Sequence, residues 1–470
     1  MRHVHAFGDD ALGHLDAVGV AEAVSSGRVG RAEVVEAAIA RTESVNATLN
    51  GLAFNAFDRA RTQARASPAS GSFSGVPTFL KDNVDVGGLP TMRGTDAWPP
   101  QPAGADSEFT AMYLATGMTP LGKTRMSEYG FSASAEHPRL GPVRNPWHTD
   151  HTAGASSSGS GAFVAAGAVP LAHANDGGGS IRIPASCNGL VGLKPSRGRL
   201  PLDKEVRQMP IRIVANGVLS RSVRDTAAFY AEAERIWPTA KLAPIGHVQH
   251  PGTKRLRIAA ITHSLLRESS PEVRELTLKT ASLLEELGHR VDHLEKPPVP
   301  NSFVPDFVLY WGLLAFGQIQ QNKRAYPGFD VTRLDNLSRG LDRHARRNLH
   351  KVPLALARLS RTRRYTNRLA RTYDVVLTPT LADETPQIGY LDPMADYEQI
   401  IDRLQGWVAF TPLQNVTGEP AISLPLAMSA NGLPVGMMFS APLGHEARLL
   451  ELAYELESAR PWARIDQQQT

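Results

Sequence analysis

The chain has 470 residues, 42% of them hydrophobic and 20% charged, which is ordinary globular usage and excludes a disordered chain. A single cysteine, Cys187, excludes an internal disulfide and a multi-cysteine zinc site. The net charge of +4 is small beside 50 basic and 46 acidic residues, so the overall balance does not call for a nucleic acid.

The N-terminal run MRHVHAFGDDALGHLD has no apolar h-region and does not read as a signal peptide. No stretch reaches the ~20 apolar residues of a membrane helix. A cytoplasmic protein with no membrane insertion is the expectation. Residues 16–67 read as helical, with apolar positions such as Val34, Val35, Ala38 and Ile39 at helical spacing. A polar turn follows at Ser67–Ser74. GVPTFLKDNVDV at 75–86 is a short strand-like run bounded by glycines, and residues 107–118 read as a helix. Residues 119–200 hold most of the unusual composition. A helix is predicted at 223–236, a strand at 255–261, a helix at 271–288 and a strand at Arg290–Leu294. After a proline-rich turn at 297–305, helices run to about residue 371. Their apolar stretch Phe307–Phe316 reads as a buried helix or a pocket wall. Strands are predicted at Val375–Leu377, Ala421–Leu424 and Val435–Phe439, and an amphipathic helix at His445–Ala459.

This alternation of strands and helices predicts an α/β fold. Length alone would suggest about three domains of ~150 residues. There is no fixed-period repeat and no long polar linker, so one large domain over 1–470 is expected. It would comprise a helical part at 1–70, a core at 71–240 and a second α/β part at 241–470.

Two motifs in the core carry chemistry. TAGASSSGSG at 152–161 alone would be a flexible linker, but it runs straight into AFVAAGAVPLAHA, which looks buried. NDGGGSIRIPAS at 175–186 puts three glycines before a serine. Such a backbone can make a tight turn, or curl its N–H groups toward one point where an oxyanion develops. GSGAFV at 159–164 begins like a dinucleotide fingerprint, but Val164 replaces the third glycine and no strand is read before it. His445–Glu446 begins a zincin pattern that Leu449 breaks. No serine stands in G-x-S-x-G, and neither serine motif holds a histidine. A serine nucleophile here would need a base other than histidine, and no metal or cofactor is called for.

GVPTFLKDN at 75–83, GASSSGS at 154–160 and DGGGSIRIPAS at 176–186 resemble, in this order, the motifs of the amidase signature family. Lys81 precedes Ser156 by 75 residues and Ser156 precedes Ser180 by 24, which also fits. YDVVLTPT at 373–380 and NVTGEPAISLPL at 415–426 extend the likeness over nearly the whole chain. The details resemble free-standing bacterial amidases, among them the hydrolase that opens the nylon-oligomer cyclic dimer. The resemblance implies a central mixed, twisted β-sheet covered by helices on both faces. It also implies hydrolysis of a carboxylic amide to an acid and ammonia or an amine, through an acyl-enzyme and without a cofactor.

By resemblance Ser180 is the nucleophile, Ser156 relays its proton after a cis peptide bond from Ala155, and Lys81 is the general base. A lysine accepts a proton only when neutral, so its pKa must fall from ~10.4 toward ~7–8. Burial beside Phe79 and Leu80 would supply part of that fall. The backbone N–H groups of Gly177, Gly178, Gly179 and Ser180 would form the oxyanion hole. Ser157 would bond near the lysine. Asp176 and Arg182 would hold the loop, or be a structural ion pair. Cys187, seven residues after Ser180, reads as a small buried core residue. Ala155, Gly177 and Arg125 depart from the family pattern, where glycine, a side-chain-bearing residue and asparagine are usual. An apolar pocket is expected, with Met126, Tyr129, Phe131 and the Trp311 region as walls.

The partner expected is a small-molecule amide, aliphatic, aryl, amino-acid-derived or a cyclic dimer, with the chain a monomer or homodimer. Two other readings stand beside this one. The first is the amidase subunit of a glutamyl-tRNA amidotransferase. Residues 339–371 hold eleven Arg or Lys and one acid, Asp342, whereas the rest holds 39 basic and 45 acidic residues. Such a run reads first as a solvated helix face, so no nucleic acid is expected. The second is a non-catalytic binding protein on the same fold.

Overall fold

The computed structural model describes residues 3–66 and 70–467, so residues 67–69 of the expected turn Ser67–Ser74 lie outside it. Eight strands form the main sheet. In spatial order they are Arg290–Leu294, Arg257–Ile261, Val375–Pro379, Pro434–Ser440, Ala421–Met428, Val191–Lys194, Ala215–Ser220 and Leu171–Asp176. The first two pairings are parallel and the other five antiparallel, so the sheet is mixed as expected. Ala421 opposite Lys194 joins strands from 241–470 to strands from 71–240 in one ladder.

Neighbouring residues of a strand face opposite sides. A Cβ on Gly436 would stand 2.7 Å from Ser186 Oγ of the helix Arg182–Asn188. The next residue, Met437, meets Thr277 of the helix Pro271–Glu286 across 3.5 Å. Helices therefore cover both faces, and glycine at 436 lets one of them lie close to the sheet.

A second sheet orders Leu52–Asn55, Thr119–Thr124 and Pro77–Lys81. All five residues of Pro77–Lys81 are buried, and the strand runs parallel to Thr119–Thr124, which suits its continuous apolar reading. It lies along the last strand of the main sheet: Thr78 Oγ1 donates to Leu171 O at 2.9 Å, and Lys81 N donates to His173 Nδ1 at 3.1 Å. These bonds place Lys81 beside the end of Leu171–Asp176.

The elements expected from 223 onward are present within a few residues. Earlier in the chain the structure corrects three readings. Residues 16–67 are not uniformly helical. The helices Ala17–Ser25, Arg31–Leu49 and Phe57–Arg65 are interrupted by the strand Leu52–Asn55. Asn50, at φ 56°, ends the second helix in a left-handed cap and releases the chain to extended structure. The strands Thr119–Thr124, Leu171–Asp176, Val191–Lys194 and Ala215–Ser220 had no counterpart in the sequence reading. Their Ala, Gly, Asn and Lys residues are poor strand formers on local grounds, and burial holds them in the sheet. Finally, a strand, His148–Thr152, does precede GSGAFV, but it pairs with Arg144–Asn145 in a two-stranded ribbon.

Phe307–Phe316 lies within the 23-residue helix Phe303–Ala325. Among the described residues, no helix is long and apolar enough to cross a membrane. The basic run forms the helices Asn336–Arg347, Val352–Arg361 and Arg363–Leu369. Part of its charge serves packing: Arg358 pairs with Asp306 at 2.6 Å, and Arg346 stands 4.7 Å over the Phe316 ring.

Candidate active site

Lys81 ends a buried strand and is itself 0% exposed. Its Nζ lies 2.6 Å from Ser156 Oγ and 2.5 Å from Asn175 Oδ1. Burial pushes its pKa down to about 7, against the opposing charge of Asp176. Asn175 had no place in the sequence reading. It immediately precedes DGGGS, and that adjacency was the one available signal.

The serine tract is a packed turn. The Ala155–Ser156 bond is cis, and Ser156, Ser157, Ser158 and Ser160 are all buried. Ser157 Oγ donates to Ser180 O at 2.6 Å, Ser158 Oγ to Gly154 O at 2.5 Å, and Ser160 Oγ to His173 O at 2.7 Å. Gly154 has φ +67°, and a Cβ there would lie 2.8 Å from Cys187 Sγ, so only glycine fits. Burial pushes the Cys187 thiol up to about 12, which leaves it an inert core residue.

The glycine loop hangs on Asp176. Arg182 Nε and Nη2 each reach a different Asp176 oxygen at 2.9 Å, and both side chains are 0% exposed. Burial alone would raise the Asp176 carboxyl, but the Arg182 charge and hydrogen bonds outweigh it and hold the group at about 2. Asn415 Nδ2 donates to Asp176 Oδ1 at 2.8 Å, and Thr411 Oγ1 donates to Gly178 O at 2.6 Å. Neither had a role in the sequence reading, although Asn415 opens the segment 415–426. Gly179 N donates to Asp176 Oδ1 at 2.7 Å, so this expected oxyanion donor is engaged elsewhere. The N–H groups of Gly177, Gly178 and Ser180 make no hydrogen bond among the described residues, and these three residues line the main cavity.

That cavity has a volume of about 590 Å³. Phe131, Ile213, Phe307, Trp311 and Leu413 make its walls apolar, and Tyr129 lines it as well. The helix Phe303–Ala325 is thus both buried helix and pocket wall. A Cβ on Gly178 would stand 3.7 Å from Phe307 Cζ, which puts that ring over the glycine loop. Ser180 lines the cavity and is 7% exposed, while Ser156 (2%) and Lys81 (0%) stand behind the lining. Ser180 Oγ makes no hydrogen bond, to Ser156 Oγ or to any other described atom. Met126 does not line this cavity. Together with Arg125 it lines a second one of about 580 Å³. Between Met126 and Phe131 the turn Glu128–Gly130, with Tyr129 at φ 51°, reverses the chain and sends close neighbours to different cavities. Among the described residues, no three His, Cys, Asp or Glu side chains are grouped so as to hold a metal ion.

The Amidase family model matches residues 33–450. A Mycobacterium leprae protein named as an amidase, AmiC, is 69% identical over 466 residues, covering 99% of each chain. The 6-aminohexanoate-cyclic-dimer hydrolase of Paenarthrobacter ureafaciens is 33% identical over 478 residues, covering 95% of each. The solved structure of a 6-aminohexanoate cyclic dimer hydrolase with its substrate superposes with a TM-score of 0.86 at 32% identity, covering 98% of this chain and 99% of that one. The chain belongs to the amidase signature family.

Proposed function

We propose that this member of the amidase signature family, an amide hydrolase, cleaves a carboxylic amide with an apolar body, using Ser180, Ser156 and Lys81. The observation that carries the reading is Lys81, fully buried, held at about 7 and 2.6 Å from Ser156 Oγ at the back of the cavity that Ser180 lines.

Near neutral pH a large fraction of such a lysine is neutral. Asn175 Oδ1 accepts one of its N–H groups at 2.5 Å and orients the lone pair toward Ser156. Ser156 O–H then donates to Lys81, and its own oxygen takes the proton of Ser180 as that hydroxyl attacks the amide carbonyl. Substrate binding brings the two serine oxygens into line, since catalytic contacts tighten in the Michaelis complex. The developing oxyanion is met by the N–H groups of Gly177, Gly178 and Ser180. Gly179 supports them by fixing the loop to Asp176. The proton returns from Lys81 through Ser156 to the leaving amine, and water reverses the route to free the acid.

The apolar walls favour substrates with an aliphatic or aryl body next to the carbonyl, and the likeness to cyclic-dimer hydrolases adds a cyclic amide to the candidates. The test is a panel of linear aliphatic, aryl, amino-acid and cyclic amides, with a serine-directed phosphonate as covalent probe. Turnover of an apolar amide with labelling at Ser180 is the expected result. Labelling elsewhere, or turnover that survives Ser180→Ala, overturns the assignment. Release of acid and amine by the purified chain alone also separates this reading from a subunit that needs partners, and from a binding protein.

A further inference from the structure

The second cavity, about 580 Å³, is of the size that encloses small-molecule ligands. Phe54, Met92, Trp98, Met126, Leu140 and Val143 give it an apolar wall. Two polar groups in that wall are incompletely engaged. Arg125 donates from Nε to Leu52 O at 3.0 Å and from Nη1 to Leu140 O at 3.2 Å, while its Nη2 has no hydrogen-bond partner. Among the described residues, no carboxylate pairs with this guanidinium or accepts from its Nη2. The His137 side chain is only 8% exposed, and its Nε2 is buried without a partner. Its Nδ1 accepts from Arg139 N at 3.1 Å and Leu140 N at 3.0 Å, which fixes the ring proton on Nε2 and makes that atom a donor. The nearest acid, Asp96 Oδ1, is 3.6 Å from Nε2 and outside hydrogen-bond range.

The other charges around the cavity are already answered. Asp96 is clamped between Arg139 and Arg333. Asp82 pairs with Lys123 at 3.0 Å. Asp330 lies on the exposed rim, where it takes the N–H and hydroxyl of Thr332 and keeps its charge toward solvent. Inside that rim, among the described residues, what is left is one unpaired positive charge and one buried neutral donor in an apolar chamber. Their complement is an anionic acceptor with two oxygens on an apolar body.

We propose that this cavity binds a small apolar monocarboxylate, held by Arg125 Nη2 and His137 Nε2 and packed against Trp98 and Met126. Arg125 is one of the positions where the sequence departs from the family pattern, and the site gives that departure a purpose. Met126 links the chamber to the triad. A Cβ on Gly130 would lie 3.6 Å from Met126 Cε and 3.1 Å from Ser156 Oγ, so both atoms border the same point. The site does not depend on Ser180 being the nucleophile.

Calorimetric titration of the full chain with hexanoate tests the proposal, with hexan-1-ol as the uncharged counterpart. One hexanoate should bind per chain and hexan-1-ol at least tenfold more weakly. Arg125→Gln should weaken hexanoate about 10- to 100-fold, and Arg125→Lys, which keeps the charge, should lose less. Ile213→Trp, which fills the main cavity, should leave binding within twofold. The proposal is overturned if hexanoate does not bind, if hexan-1-ol binds as tightly, or if Ile213→Trp weakens binding as much as Arg125→Gln does. The comparison of acid with alcohol is made on the intact protein and stands even if Arg125→Gln does not fold.

Discussion

Two buried lysines, each at the end of a strand and each within reach of the Asp176 charge, share an environment and differ in what they can do. Lys81 and Lys194 are 0% and 1% exposed, and burial pushes both down to about 7. Lys81 Nζ meets a serine hydroxyl and an amide oxygen behind a substrate-sized cavity. Lys194 Nζ donates to Pro195 O at 2.7 Å. After burial, the charge of Arg182 depresses it further, while Asp176 and Glu446 oppose. Among the described residues it meets no hydroxyl, and it lines neither cavity. A third buried lysine, Lys123, is also pushed down by burial, with Asp82 at 3.0 Å opposing. A lowered lysine pKa is thus common to all three sites. What sets Lys81 apart is a serine hydroxyl at hydrogen-bond distance behind the cavity that Ser180 lines.

This contrast can be broken by substitution. Ser180→Ala should cost roughly 10⁴- to 10⁶-fold in kcat on an amide the wild type turns over. Retained turnover would remove the reason to single out Lys81. Lys81→Met should cost about 10³- to 10⁴-fold with the melting temperature little changed, since a buried, partly neutral amine is replaced by an apolar chain of similar length. Asp176→Asn should destabilise the fold by about 3–5 kcal/mol in urea titrations, because it leaves Arg182 charged and buried without its carboxylate. The pH profile sharpens the contrast. Only neutral Lys81 accepts a proton, so kcat/KM should fall about tenfold per unit below pH 7 and level off above it. Lys194→Met is the smallest effect, within tenfold in kcat and with the same pH midpoint. A shifted midpoint in that variant would show that Lys194 contributes to the titration.

Much of this site was legible because its parts recur as short motifs. Lys81, Ser156 and Ser180 are far apart in the chain, yet each sits in a segment whose composition is unusual on its own. The supporting residues were less visible. Asn175 and His173 sit in a strand of Ala, His and Asn whose extended form comes from burial between two sheets, and local propensity says little there. Thr411 and Asn415 act on a loop more than 230 residues earlier, across contacts that only the assembled fold creates. Met126, apolar and expected with Tyr129 and Phe131 as a wall of the substrate pocket, lines the other cavity. A left-handed residue at 129 breaks that expectation, since it changes the direction of the chain between them. The eight-stranded sheet was legible in its second half, where alternating helices and apolar strands follow local rules. It was not in its first half, where small and polar residues are held extended by their neighbours.

The division of labour in the glycine loop has a consequence for exchange with solvent deuterium. Gly179 and Ile181 donate their amides to Asp176, which Arg182 and Asn415 tie to a segment distant in sequence. Releasing those two amides requires separating Asp176 from Arg182 and Asn415, so their exchange should approach the rate of global opening. Gly177, Gly178 and Ser180 line the cavity, and their amides make no hydrogen bond among the described residues, so they should exchange from the closed protein. Within five consecutive residues, two slow amides would stand among three fast ones, and a ligand whose oxygen occupies the proposed oxyanion hole would slow only the fast ones.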